Sequence, residues 1–218
     1  AAGSTRPAPP QVPGSLVAYA NGPYVDIYVT KNAPYPVVRL PNPWPLNGDA
    51  AVPINQVFLV VGRPADGWAE VLLPMRPNGL KGWIRTSQVR LLSDPWRIDV
   101  SVAAHLILIH RGADLVYQGP VATGAPATPT PLGDYYIRVL LRSSDPTSVY
   151  GPFAYGLSAH SDALTTFSGG DAEIGLHGND DVSALGHSVT HGCVRMDNAE
   201  ITALAADLPL GTPVHIGA

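Results

Sequence analysis

The chain is poor in cysteine, in charge and in long apolar runs, and each shortage narrows what it can be. Its 218 residues include one cysteine, Cys193, so no disulfide can form within the chain. Charged residues make up only 14%, and the 13 Lys and Arg form no run. With a formal net charge of −4, the sequence offers nucleic acid no electrostatic footprint. It also lacks the basic cluster of a polybasic membrane anchor. No stretch approaches the roughly 20 apolar residues that span a bilayer as a helix. There is no internal repeat.

Proline (23) and glycine (22) are plentiful, and 45% of the residues are hydrophobic. That mixture suits a turn-rich, mainly β protein of one large domain or two small ones. The opening "AAGSTRPAPPQVPG", residues 1–14, has the composition of an extended solvated linker. It shows neither the charged nor the apolar region of a signal peptide. The expectation is a mature, extracytoplasmic chain, secreted or tethered through a segment preceding residue 1.

From residue 15 to 94 the pattern is of short strands and turns. "SLVAYA" and "VDIYV" alternate at period two. "QVFLVVGRPADGWAEVLLP" reads as two strands around a turn carrying Gly62, Pro64, Asp66 and Gly67. "GLKGWIRTSQVRLL" reads as a single closing strand. Five or so strands over this length predict a small barrel or sandwich. The segments around Trp68 and Trp83 resemble a bacterial SH3-like domain, and the resemblance implies a wall-binding or catalytic-domain-packing module; equally, both tryptophans fit a core role. "SDPWR" marks a boundary near residue 95. Beyond it, "IDVSVAAHLILIHRGADLVYQGPVATG" predicts a hairpin about Gly112 and Asp114, and "YYIRVLL" and "TPVHI" predict further strands. Only "DNAEITALAADLPLG" reads as a helix. Asp197 is its N-cap, Glu200 completes a capping box, and Ile201, Leu204, Ala205 and Leu208 follow helical spacing.

The chemistry concentrates in "LHGNDDVSALGHSVTHGCVRMDN". Cys193 lies four residues before the helix cap, and a helix N-terminus and a neighbouring imidazolium both favour thiolate over thiol. Gly192 removes a side chain beside the sulfur, and the N–H groups of Gly192 and Cys193 are predicted to point at a developing oxyanion. His177, at the end of "EIGLH", is the candidate base, while His191 could orient substrate. Three other readings stay open here. His177, His187, His191 and Cys193 number enough to ligate zinc, although structural zinc sites carry more cysteines. Cys193 could be an inert core thiol. Ser158, Ser161, Ser168 and Ser188 offer hydroxyls, but none sits in a nucleophile elbow.

"HG" at 177–178 followed by "THGCVRM" at 190–196 resembles the signature of the L,D-transpeptidases with a YkuD-type catalytic domain. "VATGAPATPTPLGDYYI", "YGPFAYGLSAHS" and "LGTPVHI" resemble further segments of that family, so the resemblance covers about residues 97–218 of a catalytic domain expected over 95–218. It implies a β-sandwich with a short helix after the cysteine, which an SH3-like β-barrel (15–94) precedes. It also implies that Cys193 attacks a peptidoglycan stem peptide, forms a thioester and releases D-alanine, with His177 as base and His191 shaping the oxyanion site. An amine of a second stem peptide would then accept the acyl group. Water in its place would make an L,D-carboxypeptidase, and a chain without activity would be a wall-binding protein. No metal or organic cofactor is implied, and carbapenems are expected as covalent inhibitors. Arg195 would anchor a carboxylate or hold the loop, and Thr190 stands where the family most often has serine. Tyr150 and Tyr155 lie in the flap-like segment and are assigned to substrate contact. His160, a polar tip on an apolar loop, reads as structural.

Overall fold

The computed structural model describes residues 14–46, 49–167 and 170–218; the expected linker, up to residue 13, lies outside the described residues. The N-terminal part contains β1 (Ser15–Ala20), β2 (Tyr24–Ile27), β3 (Val38–Pro41), β4 (Trp44–Leu46), β5 (Asp49–Ile54), β6 (Val57–Ala65), β7 (Trp68–Leu72), β8 (Lys81–Arg85) and β9 (Val89–Asp94). Five of them form one antiparallel sheet in the order β8-β7-β6-β1-β9, while β2 pairs with β3 and β4 with β5. The segment expected to be one strand, "GLKGWIRTSQVRLL", is two. A 3₁₀ turn at Thr86–Gln88 separates them, and β9 leaves β8 to pair along the whole of β1.

Strand β1 shows why its sequence is apolar at nearly every position. Successive side chains point to opposite faces of a strand. Ala18, with Leu16 and Ala20, joins the N-terminal core of Val25, Ile27, Phe58, Val71 and Ile84. Val17 and Tyr19 face the other way, meeting Val57, Leu72, Tyr136 and Leu210. That second face is the seam with the rest of the molecule. Asp94 reinforces it: its buried carboxylate accepts from Trp96 N at 2.9 Å and from the Thr212 hydroxyl at 2.7 Å.

The remainder holds β10 (Trp96–Ser101), β11 (Leu106–Arg111), β12 (Asp114–Pro120), β13 (Thr123–Gly124), β14 (Gly133–Arg142), β15 (Phe153–His160), β16 (Glu173–His177), β17 (Ser188–Thr190), β18 (Val194–Arg195), α1 (Asn198–Asp207) and β19 (Pro213–Gly217). Eight of these strands form a sheet ordered β12-β11-β10-β19-β14-β15-β16-β18. The ten-residue β14 belongs to both halves, pairing with β19 on one side and β15 on the other. Ile98, Ile107 and Ile216 from one half share a core with Leu157, Ile174 and Leu176 from the other. Helix α1 closes this core with Ile201 and Leu204. As predicted, Asp197 caps it, accepting from Ala199 N and Glu200 N. The chain is thus mainly β with a single short helix among the described residues, and no helix there is long and apolar enough to cross a membrane.

Candidate active site

The site is built on the edge of the sheet where β16 and β18 run parallel, Leu176 opposite Val194 and His177 opposite Arg195. Alternation along "EIGLH" sends Ile174 and Leu176 into the core. The same alternation puts Glu173, Gly175 and His177 on the opposite face. Cys193 immediately precedes β18 and lies against Gly175, whose N–H donates to Sγ at 3.3 Å. A Cβ on Gly175 would sit 3.4 Å from His177 Cδ2 and 3.8 Å from Sγ. Both are ordinary contact distances, and they put Gly175 beside imidazole and sulfur alike.

His177 is buried, at 3% exposure. Its Nδ1 lies 2.7 Å from Gly178 O. A carbonyl only accepts, so Nδ1 carries the proton and Nε2 keeps its lone pair. Burial, seconded by the Arg195 charge and opposed by the Gly178 carbonyl, pushes its pKa down to about 4. Burial also pushes the Cys193 thiol up, against the pull of Gly175 N–H and Arg195. The thiolate–imidazolium pair anticipated from the helix terminus is therefore not the resting state. Desolvation is the largest cause of both shifts, and both favour a neutral thiol beside a neutral imidazole.

Two cavities, of about 450 and 220 Å³, share Cys193, His177, Tyr150 and Phe167 in their linings. The larger runs toward β14 and includes Arg142, Ser143 and Leu46; the smaller includes Leu164, Thr190, His191 and Arg195. The Tyr150 ring, 41% exposed, lies 5.1 Å from the His177 ring, and Phe167 lies 5.4 Å from His191. Arg195 approaches Asp180 only to 4.0 Å, and its buried Nε has no hydrogen-bond partner.

Several expected residues stand elsewhere. Tyr155, expected at the substrate, is fully buried and its hydroxyl donates to Leu204 O at 2.9 Å. Ala154, Tyr155 and Gly156 all border the larger cavity, but the Tyr155 side chain is committed to the core. Thr190 is 2% exposed. Its hydroxyl donates to Cys193 O at 2.6 Å and accepts from Gly192 N at 3.1 Å, so it shapes the loop rather than offering itself to a ligand. The same bond removes Gly192 N–H from the expected oxyanion pair. Gly192 is needed for its backbone, with φ at +117°, and a Cβ there would lie 2.9 Å from Ile174 Cδ1. His187 is exposed, and its carbonyl accepts from Thr123 N. Among the described residues no three His, Cys, Asp or Glu side chains converge as metal ligands. The buried His160 sets Nε2 3.2 Å from Asp171.

Sequence reasoning missed an asparagine clasp. Asn198 Oδ1 accepts from Asn179 N and its Nδ2 donates to Asn179 O, both at 2.8 Å, while Asn179 Nδ2 donates to Met196 O. Asn198 Oδ1 also fills the space a Cβ would need at Gly151 or Gly178, 2.3 and 2.2 Å away. The Tyr150 loop is thereby held against the His177 turn. Asn179 directly follows "HG" and Asn198 follows the cap, and adjacency to a motif was the one signal available.

Residues 95–216 match the family model of the L,D-transpeptidase catalytic domain, YkuD. The YkuD protein of Bacillus licheniformis, which carries an L,D-transpeptidase name, is 31% identical over 122 residues, covering 56% of this chain and 66% of that protein. Its counterpart in Bacillus subtilis is 30% identical over the same shares. The chain thus spans just under two thirds of the curated relatives it matches. Among solved structures, L,D-transpeptidase 3 from Mycobacterium tuberculosis with a faropenem-derived adduct is 15% identical, with a TM-score of 0.47 over 74% of this chain and 91% of that one. On the family model, which takes in more than half of its residues, the chain belongs to the YkuD family of L,D-transpeptidase catalytic domains.

Proposed function

We propose that the protein is a peptidoglycan L,D-transpeptidase with Cys193 as its nucleophile. The observation that carries this reading is the pair of cavities meeting at one thiol and one imidazole. A two-substrate acyl transfer needs two approaches to the same sulfur. In the first half-reaction Sγ attacks the stem-peptide carbonyl as its proton passes to His177 Nε2, and a tetrahedral oxyanion forms. That proton then goes to the departing amine, D-alanine leaves, and a thioester remains. In the second, the side-chain amine of another stem peptide attacks the thioester, its proton returns through His177, and the thiol is restored.

Because the resting pair is neutral, the imidazole is available as base without first losing a proton. The Cys193 N–H, which no described acceptor engages, is the donor left for the oxyanion. Arg195, with its unpartnered Nε beside the smaller cavity, is read as the anchor of a substrate carboxylate. The N-terminal sheet is read as an SH3-like unit, supported by the meander β6-β7-β8 and by β9 returning to β1 after a 3₁₀ turn. An extracytoplasmic location is part of the same proposal, because a wall substrate lies outside the cytoplasm.

The test is incubation with a tetrapeptide stem ending in D-alanine. Wild type should release D-alanine and form a dimer lacking one D-alanine, and Cys193→Ala should do neither. D-alanine release without dimer would make the enzyme a carboxypeptidase, and no release would end the reading.

A further inference from the structure

We infer that the loop between β7 and β8 belongs to the substrate site, with Arg76 and Asn78 as positioning residues for one wall of the smaller cavity. That wall is the segment joining β15 to β16. Ser161, Leu164, Phe167 and Ala172 from it line the cavity beside Cys193 and Arg195. Among the described residues its own closures are short-range or at its ends: Ser161 N donates to Ala172 O, the Ser161 hydroxyl accepts from Ala163 N and Leu164 N, and Phe167 and Gly170 exchange a pair of bonds. A loop so lightly tied does not by itself fix where Phe167 stands.

The missing ties come from the N-terminal sheet. Arg76 Nη1 donates to Ser161 O at 2.6 Å, and Nη2 donates to Leu164 O at 2.9 Å and to Asp171 O at 3.1 Å. Its Nε stands 3.6 Å from Asp171 Oδ1. One guanidinium therefore gathers the start, the middle and the end of the segment. Asn78 extends the hold, since Nδ2 donates to His160 O at 2.7 Å and to Asp162 Oδ1 at 3.1 Å, while Oδ1 accepts from His160 N at 2.9 Å. From inside, His160 Nε2 meets Asp171 Oδ2. The planar fork of arginine, with five donors in fixed directions, suits three carbonyls at once, which a lysine ammonium on a flexible stem does not.

These contacts lead away from the N-terminal core. Neither Arg76 nor Asn78 belongs to the Phe58–Ile84 cluster, and the hydrogen bonds of Arg76 all cross to the segment between β15 and β16. Their removal should loosen the wall while both cores stay packed. The kinetic consequence rests on the transpeptidase reading: a displaced wall, whose Phe167 and Ala172 also line the larger cavity, weakens substrate binding and leaves the thiol and its base in place.

The experiment uses the full chain and two readouts. By hydrogen exchange with mass spectrometry, Arg76→Ala should speed exchange in 161–172 about tenfold, with β10–β12 at wild-type protection. With separate donor and acceptor peptides, the same variant should raise at least one KM about tenfold and keep kcat within about twofold. Arg76→Lys should fall between. Unchanged exchange in 161–172 would overturn the inference. So would protection lost throughout the chain in both Arg76→Ala and Asn78→Ala, which would make these residues general supports of the fold. Wild type that releases no D-alanine, with the loop responding as stated, would defeat the transpeptidase reading and leave the positioning role standing.

Discussion

Replacing His177 by glutamine should change how stability depends on acid, and the size of the change follows from burial. The imidazole titrates near 6.5 in an unfolded chain and at about 4 in the folded one. Desolvation is the main cause, with the Arg195 charge adding to it. Between those values the unfolded state binds a proton that the folded state refuses, so stability rises with pH. Above about pH 6.5 the contribution is fully present, and it is lost as pH falls through about 4, a difference of about 3 kcal/mol. Urea unfolding at half-unit steps from pH 3.5 to 7.5, on wild type and His177→Gln, isolates this part because the other titrating groups cancel in the difference. Wild type should lose about 3 kcal/mol more than the variant across the window. Parallel curves, or an NMR titration midpoint for His177 near 6.5, would refute the reasoning. The same argument makes acylation of Cys193 insensitive to pH between about 5 and 7.5, with an acid limb near 4 instead of 6.5.

Thr190→Val deletes the hydroxyl that holds Cys193 O and Gly192 N, and should lower kcat/KM about 10- to 100-fold at unchanged circular dichroism. Gly178→Ala drives a Cβ toward Asn198 Oδ1 and should cost about 1–3 kcal/mol by thermal or urea unfolding. Combining it with Asn198→Ala should give less than the sum of the two costs, since the clash partner is gone. Tyr155→Phe should lose about 0.5–1.5 kcal/mol of stability through the lost hydroxyl bond, since Leu204 O keeps its bond from Leu208 N, with KM for the stem peptide unchanged. Tyr150→Ala should instead raise KM while leaving the unfolding midpoint nearly in place.

What the sequence made readable was local. The helix over 198–207 follows from a cap residue and apolar spacing that act within one turn, and the hairpin about Gly112 from turn chemistry between two apolar runs. The site was readable where it depends on neighbours in sequence: His177 ends a strand, and Cys193 enters the next one beside it. The hydrogen bonds of Tyr155 and Thr190 were not readable, because they depend on which face of a strand looks inward and which backbone group a hydroxyl reaches. Both are decided by pairing partners far along the chain. The neutral resting state of the thiol and imidazole was hidden for a similar reason, since burial is a property of the packed sheets rather than of the motif. Arg76 gave no signal at all; its partners lie 85 to 95 positions away.

The central claim is that Cys193 is the nucleophile and His177 its base. Intact-protein mass spectrometry after incubation with a carbapenem tests it most directly, run beside Cys193→Ala and His177→Gln. Wild type should gain the mass of one drug molecule, Cys193→Ala should gain none, and His177→Gln should acylate more slowly. A folded wild-type protein that remains unmodified, or an adduct that persists in Cys193→Ala, would contradict the account.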